Sequence, residues 1–510
     1  MFKTMTDLRL KLAMSPSLVM LLLSGCMVGP KYHAPPAPPA AEAPTATYKE
    51  SPPQSQDTDG WKVAQPQDAM LRGKWWEIYN EPELNALEER LNINNENIKQ
   101  FFENFMEART LIAQARSQLY PTASVGPSFQ RTRTSGNLRN TASANPGVES
   151  SVGSLPMTIS WEPDLWGKVR NTIHEQQYNA QLSAADLENE RLTEQASLAT
   201  FFFEIRGQDA LQKILNDTVD ADKKALELTR ALYQTGIGDQ ISVVEAENTL
   251  QNVQAQATNL GVARAQFEHA IAVLVGTNAS DFSIPVRPLT VNPPPIPIGV
   301  PSVLLERRPD IAASERNMAS ANAQIGIAYA AFYPTLTLGA TGGYESSTFG
   351  HLFQLASTFW SFGPSVSETV YDAGLRRATV NQFIAVYNAD VASYRQTVLT
   401  AFQQVEDALA SVRILSQQLI QQEQAVKSAE EFVTLETARY QTGIDPYVDV
   451  VTAQTTLLTD QQAVATLHVQ EMTASVQLIE ALGGGWDRTQ LPTPAQVSQK
   501  LTKAETTIQK

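Results

Sequence analysis

Histidines and the motifs of known catalytic sites are the residues of this sequence in which enzymatic chemistry would be expected. The five histidines are widely scattered and lack the spacing of metal ligands; they are His33, His174, His269, His351 and His468. The sequence contains neither a nucleophile elbow nor a phosphate-binding loop. We therefore predict no enzyme, cofactor or metal site, and the net charge of -15 disfavours nucleic acid as a partner.

The lone cysteine, Cys26, follows a positively charged start and a short apolar stretch, residues 18–23. This order is typical of a secretory signal. The tetrapeptide 23–26, Leu-Ser-Gly-Cys, resembles a bacterial lipobox. That resemblance implies a signal peptide over 1–25, cleavage before Cys26, and a diacylglycerol and an N-acyl chain on the cysteine. Met27 at the next position favours the outer membrane. An ordinary signal peptide with an incidental cysteine is the alternative.

The body of the chain contains an internal repeat. The turn sequence Tyr-Gln-Thr-Gly-Ile occurs at 233–237 and again at 440–444, an offset of 207 residues, and 270–276 maps onto 477–483 at the same offset. A fixed long period indicates one architectural unit used twice. We predict a flexible tether over 26–67, a first repeat over 68–284, an inter-repeat segment over 285–309, a second repeat over 310–486 and a polar, disordered tail over 487–510.

Each repeat begins with a helix and two strands in which apolar and polar residues alternate. The four predicted strands are 122–133, 152–162, 335–345 and 359–371. Such alternation is how membrane barrel strands read, although a soluble sheet with one wet face gives the same pattern. Four strands cannot close a barrel, for which about eight is the practical minimum. Other copies of the chain would have to supply the missing edges.

The strands are followed by very long helices. The stretch from Pro163 to Pro285 is free of internal proline, and its counterpart after Pro364 contains only Pro446 before Pro492. Each stretch predicts a helix of roughly 60 residues, about 90 Å long. Return helices follow over about 240–276 and 446–482.

The seams of these helices are narrow, which suits a tube wall that is wet on both sides. We expect left-handed glycines at Gly236 and Gly443 and N-caps at Asp239 and Asp445. An earlier helix is predicted from Pro82 to Gln118.

At this point the sequence resembles a known family. Its lipobox, the doubled turn and the motifs 28–32 (Val-Gly-Pro-Lys-Tyr), 306–311 (Glu-Arg-Arg-Pro-Asp-Ile) and 481–486 (Ala-Leu-Gly-Gly-Gly-Trp) are similar to those of the outer membrane factors. Within that family the chain resembles the lipoprotein branch typified by OprM, with TolC more distant. The resemblance covers nearly all of 26–486.

The resemblance implies an α+β membrane protein with a long periplasmic α-helical barrel and a twelve-stranded transmembrane β-barrel shared by a homotrimer. It implies the exit duct of a tripartite efflux pump in the outer membrane, with multidrug export as the default cargo. The partners would be outer membrane lipid, a periplasmic adaptor and an inner membrane pump of the resistance-nodulation-division class. Metal-ion efflux, type I protein secretion and a non-channel periplasmic scaffold lipoprotein are the alternatives.

In this family, residues just after the second turn close the periplasmic mouth. Here that stretch offers Val448, Asp449 and Thr452, where only Asp449 matches an acidic position of TolC-like members. We expect three symmetry-related Asp449 carboxylates to form the constriction, Val448 an apolar collar, and Glu245, opposite Thr452 by the repeat, the missing charge. The alternative is that Asp449 is an ordinary solvated residue.

The hairpin tips are the second candidate site. Thr235 and Gly236 in the first repeat, and Thr442 and Gly443 in the second, would form the docking surface for the adaptor. They could equally be turns without a partner.

Overall fold

A computed structural model describes residues 27–34, 48–50, 73–135, 149–296 and 306–500. The proposed lipidation at Cys26 and the signal peptide over 1–25 lie outside these ranges. So do most of the predicted tether, residues 297–305 of the inter-repeat segment, and the end of the tail.

Seven helices longer than ten residues and five strands form the described part of the chain. The helices are α1 (Pro82–Asn94), α2 (Glu96–Ser117), α3 (Lys168–Gln234), α4 (Gln240–Leu274), α5 (Pro309–Ala330), α6 (Leu375–Gln441) and α7 (Tyr447–Ala481), with a one-turn α8 (Pro494–Val497). The strands are β1 (Thr122–Val125), β2 (Ser128–Arg133), β3 (Glu149–Trp161), β4 (Thr335–Ser346) and β5 (Thr358–Ser367).

The long helices of the two halves have equal lengths. Helices α3 and α6 each contain 67 residues, and α4 and α7 each contain 35. A helix of 67 residues extends about 100 Å. None of the helices in the described ranges combines the length and apolarity needed to cross a bilayer.

The strands form one antiparallel sheet in which β1 and β2 both pair with β3, followed by β4 and β5. The register aligns like with like across the sheet. One row joins Ala123, Ile159, Ala340 and Phe362, and the next row joins Ser124, Thr158, Thr341 and Ser361. The sheet therefore has one apolar and one polar face, and the apolar face is uncovered in the single chain: Trp360 is 83% exposed.

Two of the predicted strands have different bounds in the structure. The strand predicted over 122–133 is broken at Gly126-Pro127, because proline has no N–H to donate to the ladder; Gly126 still donates to the Pro156 carbonyl (3.2 Å). The strand predicted over 359–371 ends at Ser367.

Helix α3 is the central element of the helical part. It packs against its return helix α4, against α2 and α5 on its flanks, and against α7 of the other hairpin, while α6 packs against α5 and α7. The largest apolar cluster lies where these elements meet, and includes Trp75, Leu84, Leu198, Phe202, Phe203 and Met472.

A buried ion network holds the inter-repeat segment against α3 and α4. The Asp209 side chain, 1% exposed, accepts from the Arg264 Nε–H (2.7 Å) and from the Arg287 backbone N–H (2.8 Å). Arg206 donates to the Pro285 carbonyl (2.7 Å), to Asp209 and to Glu83. Buried charges with such partners are compensated, so the extended segment is held in place without secondary structure of its own.

The helix predicted over 82–118 is in fact two helices. Asn95 has an extended backbone, and its side chain accepts a hydrogen bond from the Ile98 N–H (2.9 Å). An asparagine that caps the next helix ends the previous one, because its own backbone leaves the helical region.

The described parts of the predicted tether are packed on the helices, which corrects the prediction for them. The Val28 N–H donates to the Trp166 carbonyl (3.1 Å), and the Tyr32 hydroxyl donates to Glu315 (2.7 Å). Residues 48–50 are held by Glu406, which accepts from the Lys49 and Glu50 N–H groups.

The prediction of a disordered tail is wrong for residues 487–500. Thr493 and Gln496 form a capping box that starts α8. Val497, 1% exposed, then packs in an apolar cluster with Ile112, Val169 and Ile173. One buried valine and a local cap are enough to fix a segment whose composition is polar.

Candidate gate at the helical hairpin tips

Both hairpins end in the same turn. The Ile237 N–H donates to the Leu232 carbonyl and the Gly236 N–H to the Tyr233 carbonyl (both 3.0 Å). The second tip repeats this pattern, and Gly236 and Gly443 have φ of 76° and 75°. These are Schellman motifs, which require a residue in the left-handed region. The predicted glycine positions are therefore confirmed.

The predicted N-caps have different outcomes. Asp239 accepts a hydrogen bond from the Ser242 N–H (2.8 Å) and caps α4, as expected. Asp445 does not cap α7, whose N-cap is Pro446. The Asp445 carboxylate instead binds the Arg439 guanidinium, whose Nη2 donates to it at 2.9 Å. A charge-assisted bond to arginine is stronger than a cap to a neutral backbone N–H, so the carboxylate binds the arginine.

The tips expose apolar side chains to solvent. Tyr233, Ile237, Ile241, Ile444 and Val448 are all exposed, with Ile237 at 74%. Thr235, Gly236, Thr442 and Gly443 are exposed as well. A rigid turn that presents isoleucines on both hairpins suits contact with another protein better than contact with water.

Three carboxylates surround Arg439 at the second tip. Oxygen atoms of Glu436, Asp445 and Asp449 lie within 4.8 Å of one another. The ion pair with Arg439 lowers the pKa of Asp445, and the three acids together raise the pKa of Arg439, with Asp445 as the main cause. Because the arginine supplies the compensating charge, we do not assign this cluster as a metal site.

The structure places the predicted gate residues on the first two turns of α7 and on α4. Val448 is exposed, Asp449 is half-buried, and Thr452 donates to the Val448 carbonyl (2.8 Å). Glu245 is half-buried, and its charge acts on the hydroxyl of Tyr447, the first residue of α7. Asp449 and Glu245 thus lie near the same helix start, while the constriction itself needs more than one chain.

A buried polar group near the tips is absent from the sequence prediction. Asp222 of α3 is 3% exposed, and its Oδ2 has no hydrogen-bond partner among the described residues. Burial raises its pKa to about 6. Burial, and then the charges of Asp222, Tyr440 and Glu245, raise the pKa of Tyr447 to about 12.

The spacing of residues on α3 contains the signal for this group. Leu215, Val219, Asp222 and Leu226 are separated by four, three and four residues, which is the spacing of an apolar seam. The second repeat has Ala429, which is buried, at the position equivalent to Asp222. An acid at a seam position is therefore a specific feature of the first hairpin.

The architecture of two long helical hairpins joined to a small antiparallel sheet defines the class of outer membrane channels. The chain belongs to the outer membrane efflux protein family, whose sequence profile matches residues 87–277 and 300–484. The resemblance predicted from the motifs is thus confirmed. This family comprises efflux channels, so the chain is not an enzyme, and its channels need no cofactor.

Relatives and solved structures agree with this assignment. The antibiotic efflux pump outer membrane protein ArpC of Pseudomonas putida is 30% identical over 93% of this chain and 96% of its own length. The toluene efflux pump outer membrane protein TtgC, from a solvent-efflux strain of the same species, gives the same values. The outer-membrane channel OprN superimposes with a TM-score of 0.79 at 26% identity, over 90% of this chain and all of OprN. The chain is therefore an exit channel for efflux across the outer membrane.

The buried carboxyl predicts a pH-dependent stability. Since the pKa of Asp222 rises from its ordinary value to about 6 on folding, the folded chain binds this proton more tightly than the unfolded chain. Stability should fall as pH rises between about 4 and 6, and the loss should be complete above that range. The Asp222→Asn variant should therefore melt at a higher temperature than the wild type at about pH 7, and near the wild-type temperature at about pH 4.

Thermal melts of the detergent-solubilised protein across this pH range are the measurement. Asp217→Asn, at an exposed position of the same helix, is the matched control and should show no such trend. An Asp222→Asn variant that is less stable than wild type at neutral pH would show that the carboxylate has a partner in solution.

Proposed function

We propose that this protein acts as a homotrimer that forms a continuous duct from the periplasm to the outside of the cell. The observation that carries the proposal is the sheet, which has an apolar and a polar face and two unpaired edges. In the chain, β5 pairs only with β4, and β1 and β2 pair only with β3, among the strands of the described ranges. Unpaired edges cannot remain in lipid, because no water is there to satisfy their backbone groups.

Three copies would satisfy both constraints. Treating β1 and β2 as one interrupted strand, each chain contributes four, and three chains give a barrel of about twelve, within the range of outer membrane barrels. The apolar row through Ile159 and Phe362 would then face lipid, and the polar row through Thr158 and Ser361 would face the lumen. The helical hairpins would continue the wall into the periplasm.

The duct would work with a periplasmic adaptor and an inner membrane pump of the resistance-nodulation-division class. We propose antibiotics and apolar organic solvents as cargo, since relatives at 30% identity are named for antibiotic and toluene efflux. The lipid on Cys26 would anchor the chain start in the outer membrane, above the point where Val28 bonds to Trp166.

The native mass of the protein, extracted in mild detergent from the outer membrane fraction, tests the assembly. We expect a trimer carrying acyl chains. The matched variant Cys26→Ser should lose the mass of the lipid and keep the trimer. A stable monomer or dimer would overturn the shared barrel, and an unchanged mass in Cys26→Ser would overturn the lipidation.

The gate is the next part of the proposal. Three copies of Asp449, each beside an exposed Val448, would bring like charges together at the periplasmic mouth. Thr452 and Glu245 would line the same level. Close carboxylates repel one another and bind cations, so the closed mouth should be sensitive to cations and to pH.

Single-channel recording in planar bilayers tests the gate. Asp449→Ala should increase conductance and weaken block by multivalent cations, because the ring loses its charge. Glu107→Gln removes an exposed charge on α2 and should change neither property. If Asp449→Ala conducts and is blocked like wild type, Asp449 is an ordinary solvated residue.

The tips are the proposed docking surface for the adaptor. The Thr235 and Thr442 hydroxyls donate to backbone carbonyls of their own helices, so cysteine fits at both positions. We expect Thr235→Cys and Thr442→Cys to crosslink to an adaptor in intact cells. Ala113→Cys, exposed on α2 near the sheet, is the control and should give no adduct. No adduct from either tip would count against docking there.

A further inference from the structure

The loop between β4 and β5, residues 347–357, is unusually apolar for an exposed segment. Phe349 is 80% exposed, Phe353 68% and Leu355 88%. The loop contains no Asp, Glu, Lys or Arg. Exposed apolar groups of this size leave roughly 1.5–3 kcal/mol each unrealised relative to burial.

This exposure does not result from a loose chain. Two short 3-10 turns, Phe349–His351 and Leu355–Ser357, are braced by hydrogen bonds. The Ser357 hydroxyl donates to the His351 carbonyl (2.8 Å), and the Thr358 hydroxyl donates to the Leu355 carbonyl (2.7 Å). The backbone thus holds the apolar side chains outward.

The loop lies on the apolar side of the sheet. The Phe353 ring packs edge-on against Tyr344, with centroids 5.6 Å apart. Tyr344 belongs to the same face of β4 as Ala340, which is aligned with Ile159 and Phe362. A loop that folded over the lumen would instead contact the face of Thr341.

The height of the sheet gives the loop a purpose. The apolar residues of β4 run from Leu336 to Tyr344, about 27 Å along a strand at roughly 3.4 Å per residue. Tilted by about 40°, as strands in such barrels are, this covers about 21 Å of the roughly 25 Å apolar band. Apolar side chains just beyond Tyr344 would complete it.

We propose that residues 347–357 are a lipid-contacting element in which Phe349, Phe353 and Leu355 enter the outer leaflet of the membrane. The inference rests on the proposed barrel, because it requires the apolar face to meet lipid. The loop between β2 and β3 in the first repeat contains no aromatic residue and includes Arg139, so each chain would contribute one such element.

A fluorescent label on an introduced cysteine tests this contact in the full-length trimer. Leu355→Cys carries an environment-sensitive probe, and the protein is reconstituted in phosphatidylcholine vesicles with acyl chains brominated near the headgroup. We expect brominated lipid to quench most of the emission and aqueous iodide to quench little. Val366→Cys, exposed on the apolar face of β5, and Thr341→Cys, on the polar face of β4, are the controls.

The controls separate the two proposals. If brominated lipid quenches the label at Val366 and not at Leu355, the loop proposal fails and the barrel stands. Quenching at Leu355 by iodide alone, or by neither quencher, would place the loop in water or against a neighbouring copy and overturn the proposal. If neither Val366 nor Leu355 meets lipid, the loop proposal and the barrel fail together.

Discussion

The antiparallel pairing of β3 with β4 is the constraint on which the rest of the structure depends, since it is the pairing through which the described strands of the two halves meet. It runs from Gly153 opposite Ser346 to Trp161 opposite Leu338. A slip of one residue would exchange the apolar and polar faces of half the sheet. Gly343 secures close approach of the strands, because a Cβ there would lie 2.2 Å from the Leu155 carbonyl oxygen.

The helices inherit their spacing from this sheet. The Trp161 indole donates to the Leu119 carbonyl (3.0 Å) at the end of α2, and the Trp166 indole donates to the Pro334 carbonyl (2.8 Å) beyond α5. Trp166 also stacks on Tyr333, with ring centroids 4.7 Å apart. Because the strands cannot shift without breaking these bonds, α2, α3 and α5 start from fixed positions. The remote tips therefore owe their placement to contacts about 100 Å away along α3.

The sequence predicts the regular parts of this fold well, since period and glycine placement are local signals. The long helices, both turns and the alternating strands follow from such signals. Competition between partners is harder to predict. Asp445 looks like a cap until Arg439 is brought beside it, and Asn95 divides a helix that otherwise reads as continuous. Asp222 escapes sequence-based prediction because its meaning depends on a seam shared by two hairpins. The ring of the gate cannot be derived from one chain at all.

The two halves share a scaffold and differ where the chain meets other bodies. Glu436, Arg439, Asp445 and Asp449 of the second tip have the uncharged counterparts Thr229, Leu232, Gly238 and Ser242 in the first tip. Conversely, the acid of the helical seam, Asp222, belongs to the first hairpin alone and faces Tyr447 of the second. A duplicated pair of identical hairpins would have no reason to move differently. Once one hairpin carries the surface charge and the other the buried charge, protonation and cations act on them unequally, which a gate formed by one hairpin sliding past the other requires.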